Sequence, residues 1–135
     1  HDHILIMWTV DFAPEFEPEF DDLSEKIQDE MLAQLTIIET FGPLAKRPKV
    51  DTLKGSQYAN MKELRFDAAG GIWRVAFAFD TQRKGIVLVA GNKVGRTGKS
   101  ERKFYSELIK TADRRFKAHL DRAESARGAT RIAKK

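Results

Sequence analysis

Trp8, Val10 and Phe12 alternate with Thr9 and Asp11, the period of two that marks a half-buried strand, and the pattern stops before Pro14. It predicts a strand over residues 7–12. From Phe16 the spacing changes to threes and fours, through Phe20, Leu23, Ile27, Met31, Leu35, Ile38 and Phe41, which is helical. Pro18 is tolerated only in a first turn, so a short helix over 15–22 precedes a longer one over 24–41. Asp22 or Ser24 caps the longer helix, and Gly42-Pro43 ends it. Residues 44–60 show little periodicity and read as a loop. Three strands follow, over 61–66, 72–80 and 86–91, joined by turns at 68–71 and 81–84 that suit an antiparallel meander. Phe104, Leu108, Ala112, Phe116 and Leu120 then recur every four residues, predicting a helix over 101–124. The order describes an α+β domain over 7–124, a small, mostly antiparallel sheet with two N-terminal helices and a C-terminal helix. Residues 1–6 precede Met7 and read as a non-native leader. Residues 125–135 read as a basic, flexible tail.

Counting back from the turns places side chains on faces of the sheet. Opposed residues sum to 139 across the first hairpin and to 165 across the second. Arg65 therefore faces Arg74, and Arg74 faces Gly91. One face collects Leu64, Phe66, Trp73, Val75, Phe77, Phe79, Ile86, Leu88 and Ala90 as core. The other carries Glu63, Arg65, Arg74, Ala76, Ala78, Val87, Val89 and Gly91, with Lys93 following in the same parity. Two directly opposed arginines repel each other unless an anion lies between them. Either Glu63 or Asp67 fills that role, or the guanidinium forks await a phosphate. Two readings cover the small apolar patch of Ala76, Ala78, Val87 and Val89: the last helix, or a partner.

Composition sharpens this picture. In 135 residues the chain has 41% hydrophobic and 33% charged side chains, no cysteine and three histidines. Disulfides and thiolate zinc are thereby excluded, the spread of His1, His3 and His119 argues against a metal cluster, and no cofactor is expected. His119 reads as an ordinary late-helix residue. No apolar run is long enough to span a bilayer, and a cytoplasmic protein is expected. Net charge is +4, but residues 1–83 carry 9 basic and 15 acidic side chains and residues 84–135 carry 15 basic and 5 acidic. A basic half of this kind suits a polyanion, or is a solvated helix face. Lys54 beside Gly55, Lys62, and the run Arg96, Lys99, Arg102 and Lys103 are candidate RNA contacts.

Several segments together resemble the RelE/ParE toxin superfamily, particularly its phage-derived HigB-like branch. They are Phe41-Gly42-Pro43, Leu53-Lys54-Gly55, Met61-Lys62-Glu63-Leu64-Arg65, Ile72-Trp73-Arg74-Val75-Ala76-Phe77, and Val87-Leu88-Val89-Ala90-Gly91-Asn92-Lys93 leading to a basic helix with Tyr105. The resemblance implies a toxin of a type II toxin–antitoxin pair. Such a toxin is a metal-independent endoribonuclease that cleaves messenger RNA, usually on the ribosome, and is restrained by a helix-turn-helix, HigA-like antitoxin. The family's cationic sheet positions fall on Arg65, Arg74 and Lys93, and its helix tyrosine on Tyr105. Glu63 stands where some members have lysine, so Glu63 or Tyr105 is the candidate proton acceptor. Two other classes stay open: a ParE-like protein that acts on DNA gyrase without cleaving RNA, and a non-toxic phage-derived nucleic-acid-binding module.

Overall fold

The computed structural model describes residues 7–133, so the expected leader over 1–6 lies outside the described residues. Its elements are β1 (Thr9–Phe12), α1 (Glu17–Asp21), α2 (Glu25–Phe41), β2 (Val50–Thr52), β3 (Lys62–Ala68), β4 (Gly71–Phe79), β5 (Lys84–Asn92) and α3 (Gly98–Ala133). Pro18 sits in the first turn of α1. The hydroxyl of Ser24, not Asp22, caps α2 by accepting from Ile27 N. Gly42 ends α2 with φ +53°, and the Trp8 side chain lies so close that even a methyl group there would collide with the ring.

The five strands run in the order β1-β5-β4-β3-β2, with β1 parallel to β5 and the other pairs antiparallel. Helix α2, with Phe16 from the turn before α1, packs Met31, Leu35 and Ile38 on one face of the sheet, against Leu64, Phe66, Val75 and Phe77. Helix α3 packs Phe104, Leu108, Ala112 and Phe116 on the other, against Ala76, Ala78, Ile86 and Leu88. The last helix thus covers Ala76 and Ala78 of the expected apolar patch, with Val89 partly buried beside them.

Three expectations change. First, the stretch over 44–60 contains β2, too short to show alternation. Second, α3 continues to Ala133 instead of ending near residue 124, so the segment expected to be a flexible tail is helical through Ala133. Third, the second hairpin holds its predicted register from Trp73↔Asn92 through Arg74↔Gly91 to Ala76↔Val89 and no further. A bulge then shifts it, so that Phe77 faces Val87 and Ala78 faces Ile86. One extra residue reverses the faces beyond it. Val87 joins the α2 side, whereas Ile86 and Leu88 join the α3 side. The first hairpin keeps its register, with a tighter turn: Ala68 pairs with Gly71, leaving Ala69 (φ 50°) and Gly70 (φ 77°) as a two-residue loop.

Polar contacts pin α3 across the sheet. Arg115 donates to Glu19 at 2.6 and 2.8 Å and to the Leu88 carbonyl at 2.9 Å, and Arg122 reaches Glu15 at 3.3 Å. Asp113 accepts from Ser56 and from Gln57 N, holding the β2–β3 loop. His119 is also structural: its Nε2 lies 2.9 Å from Asp80 Oδ2, and its ring stacks on Phe116.

Burial alone would raise the carboxyl pKa of Asp80. The hydrogen bond to His119 and those from the Lys84 and Gln82 N–H groups outweigh it and hold the group below 3.8. A depressed folded value contributes stability above the unfolded pKa, and that stability is lost as pH falls through the folded pKa. Asp80→Asn is therefore expected to lower Tm at pH 7, and the gap from wild type should close as pH falls below about 3.8. Thermal melts across a pH series measure it; a constant gap would refute the linkage.

Candidate active site

The site forms where the N-terminal end of α3 crosses β3 and β4. Arg65 and Arg74 face each other as the hairpin count requires, and Asp51 faces Glu63 across β2 and β3. Gly91 faces Arg74, and its missing side chain admits the Phe104 ring: a Cβ there would lie 2.7 Å from Phe104. This close approach lets α3 carry Tyr105 over the sheet.

Glu63 is the hub. It is only 4% exposed and is the buried carboxylate that the opposed arginines require; Asp67 does not serve. Tyr105 donates its hydroxyl proton to Glu63 Oε1 at 3.0 Å and accepts from Arg74 Nε at 3.1 Å. Arg74 Nε also lies 3.4 Å from Glu63 Oε1, while its Nη1 donates to the Trp73 carbonyl. Arg65 Nη2 bridges two acids, at 3.2 Å from Asp51 and 3.5 Å from Glu63. Its Nε is buried without a partner. Lys93 pairs with Glu101 and stands 5.7 Å from the centre of the Tyr105 ring.

The electrostatics follow from this packing. Burial pushes the Tyr105 phenol above its usual pKa; the Arg74 hydrogen bond opposes the shift and the Glu63 charge adds to it. The phenol is therefore protonated at neutral pH. Burial opposes the charge on Arg65, but the hydrogen bond and charge of Glu63, then the charge of Asp51, raise its pKa overall. Glu101 is held below the usual carboxylate range by the hydrogen bond and charge of Lys93.

Two grooves flank the cluster. One of about 320 Å³ is lined by Asp51, Thr52, Lys54, Glu63, Arg65 and Tyr105, among others. Another of about 380 Å³ includes Glu30, Lys49, Asp67, Arg65 and Arg74. Arg65 belongs to both.

The structure thus gathers Glu63, Arg65, Arg74, Lys93 and Tyr105, with exposed Lys54 at the edge. Lys62 is not brought in: it shares the parity of Leu64, on the α2 face, and its Nζ lies 3.5 Å from Thr52 Oγ1. Arg96 lies over the Phe104 ring at 5.8 Å, and Lys99, Arg102 and Lys103 are exposed along α3. The face is less open than the hairpin count suggested, since the Arg74 side chain is only 14% exposed beneath α3. Asp51 and Glu101 are additions. Glu101 stands four residues before Tyr105, a spacing that places both on one side of a helix; Asp51 gave no pattern.

Comparison with known proteins agrees with this architecture. A family described as phage-derived protein Gp49-like matches residues 18–117. The candidate toxin HigB2 of Mycobacterium tuberculosis (strain ATCC 25618 / H37Rv) is 37% identical over 129 residues, 95% of this chain. This chain spans 62% of that relative's length. The candidate toxin HigB3 of the same organism is 35% identical over 102 residues, covering 76% of this chain and 84% of HigB3. A free-state structure of a mutant of the E. coli toxin RelE superposes with a TM-score of 0.58 at 14% identity, covering 81% of this chain and 97% of that one. This last likeness establishes a RelE-like fold.

Proposed function

This chain belongs to the phage-derived Gp49-like family, and from that premise we propose that it is the toxin of a type II toxin–antitoxin pair, acting as a metal-independent endoribonuclease on messenger RNA. The names of the HigB2 and HigB3 relatives support the toxin reading. The observation that carries the chemistry is the hydrogen-bonded chain from Arg74 through Tyr105 to Glu63, with Arg65 and Lys93 beside it.

Cleavage by an internal nucleophile needs little from the protein beyond positioning, a proton acceptor and positive charge near the phosphate. The 2′-oxygen attacks the adjacent phosphorus and the bond to the 5′-oxygen breaks, leaving a 2′,3′-cyclic phosphate and a 5′-hydroxyl. Glu63 is too enclosed to meet the 2′-hydroxyl itself. Tyr105 takes that proton at its oxygen while passing its own to Glu63, and water protonates the leaving oxygen. Arg65, Arg74 and Lys93 offset the charge that accumulates on phosphorus. On this reading the partners are messenger RNA, the ribosome that presents it, and a HigA-like helix-turn-helix antitoxin.

Purified protein incubated with RNA and a chelator should yield ends carrying the cyclic phosphate. Induced expression followed by mapping of transcript 5′ ends should show cleavage within coding regions. Tyr105→Phe is expected to lower the cleavage rate about a hundredfold, the lower range of general acid–base catalysis, with RNA affinity nearly unchanged. Intact transcripts in growth-arrested cells would overturn the nuclease reading.

A further inference from the structure

A second cationic surface lies on α3, apart from the sheet cluster. Phe104, Leu108, Ala112 and Phe116 fix the inward side of the helix. At about 100° per residue, Lys99, Lys103, Lys110, Arg114 and Lys117 all fall within about 40° of the opposite, outward direction. All five are exposed. They span about 27 Å at 1.5 Å rise per residue. Two acids border the row, each about 60° from the outward direction: Glu107, exposed and without an ion pair among the described residues, and Asp113, which is engaged by Ser56 and Gln57. Among the described residues Lys117 has an ion partner, Asp121, and the other four have none.

Such a row works against its own helix. Lys99 with Lys103, and Lys110 with Arg114, are like charges four residues apart, an arrangement that destabilises an isolated helix. Glu107 offsets part of this, standing four residues after Lys103 and three before Lys110, while Asp113 is already engaged by the β2–β3 loop. An external polyanion relieves the repulsion.

The side chains select the kind of polyanion. The stripe holds no aromatic or large aliphatic residue, so it offers neither the anchors of a protein interface nor a stacking platform for unpaired bases. Lysine, arginine and the exposed Ser106 hydroxyl match phosphate oxygens, whose contacts position without reading sequence. We propose that the outer face of α3 docks on the phosphate backbone of base-paired RNA. The row starts two residues before Glu101, beside the sheet cluster. On the nuclease reading, a docked duplex would therefore offer its flanking single strand to the site. Duplex binding itself needs none of that chemistry.

The test is affinity of the full chain for a blunt 16-base-pair RNA duplex across a salt series. Wild type should bind, with log affinity falling linearly against log salt. Lys110→Gln combined with Arg114→Gln should weaken binding about tenfold and reduce the slope by about 2, at roughly 0.9 for each phosphate that is no longer neutralised. Lys26→Gln combined with Lys46→Gln removes the same charge from exposed positions elsewhere and should change affinity less than twofold. Equal losses in both variants would reduce the effect to net charge and overturn the row, as would absence of duplex binding by wild type at 50 mM salt. Cleavage of a single-stranded oligonucleotide should be unchanged by the α3 pair. A wild type that binds duplex yet leaves transcripts intact in growth-arrested cells would remove the nuclease reading and leave this surface standing.

Discussion

Arg74→Lys is expected to lower RNA cleavage by a factor of about 10² to 10³, the usual cost of removing one preorganised donor from a developing negative charge, while the protein stays folded. Alanine is the poorer choice here. The Arg74 side chain is 14% exposed and its partner Glu63 only 5%, so truncation would strip a buried carboxylate of a counterion and confuse stability with chemistry. Lysine keeps the charge. What it loses is the planar fork that reaches the Tyr105 oxygen through Nε and the Trp73 carbonyl through Nη1 at the same time. With that hold gone, Tyr105 loses the donor that fixes its hydroxyl toward Glu63. Single-turnover cleavage and thermal melts give the two readouts. A folded Arg74→Lys protein that cleaves at the wild-type rate would remove Arg74 from the mechanism.

The hairpin count found the Arg65–Arg74 pair because cross-strand position depends only on where a turn is centred, and the stretch Ala68-Ala69-Gly70-Gly71 centres it correctly although the observed loop is two residues shorter. It failed beyond Ala76 because the bulge inserts a residue among uniformly apolar side chains, where Val87, Leu88 and Val89 fit either face equally well. The burial of Glu63 had no local signal. It depends on Tyr105, a residue 42 positions away on a helix whose approach is set by Gly91 and Phe104. Asp51 was hidden for a related reason: a three-residue strand is too short to show its period, and its role comes from pairing with β3. The charge imbalance was real, but part of it is structural. Arg115 and Arg122 tie α3 to the N-terminal segment, and so do not belong to a nucleic-acid footprint.

Glu63→Ala should cost about 3 kcal/mol of stability, the lower end of the range for breaking a buried ion pair, because Arg65 and Arg74 keep some contact with water. For a chain of this size that is a fall in Tm of roughly 10 °C. The two arginines would still face each other across β3 and β4, Arg65 retaining only Asp51 and Arg74 retaining no carboxylate within salt-bridge distance among the described residues. Without its internal anion the pair becomes a vacant anion site. Inorganic phosphate or a short oligophosphate should then raise the Tm of Glu63→Ala more than that of wild type, since a ligand that binds only the folded form stabilises it by up to about 2.7 kcal/mol at a hundred times its Kd. Sodium chloride at matched ionic strength controls for screening. An equal phosphate response in the two proteins would mean that the arginines do not present a phosphate-binding fork once Glu63 is gone, and their place in RNA cleavage would have to be given up.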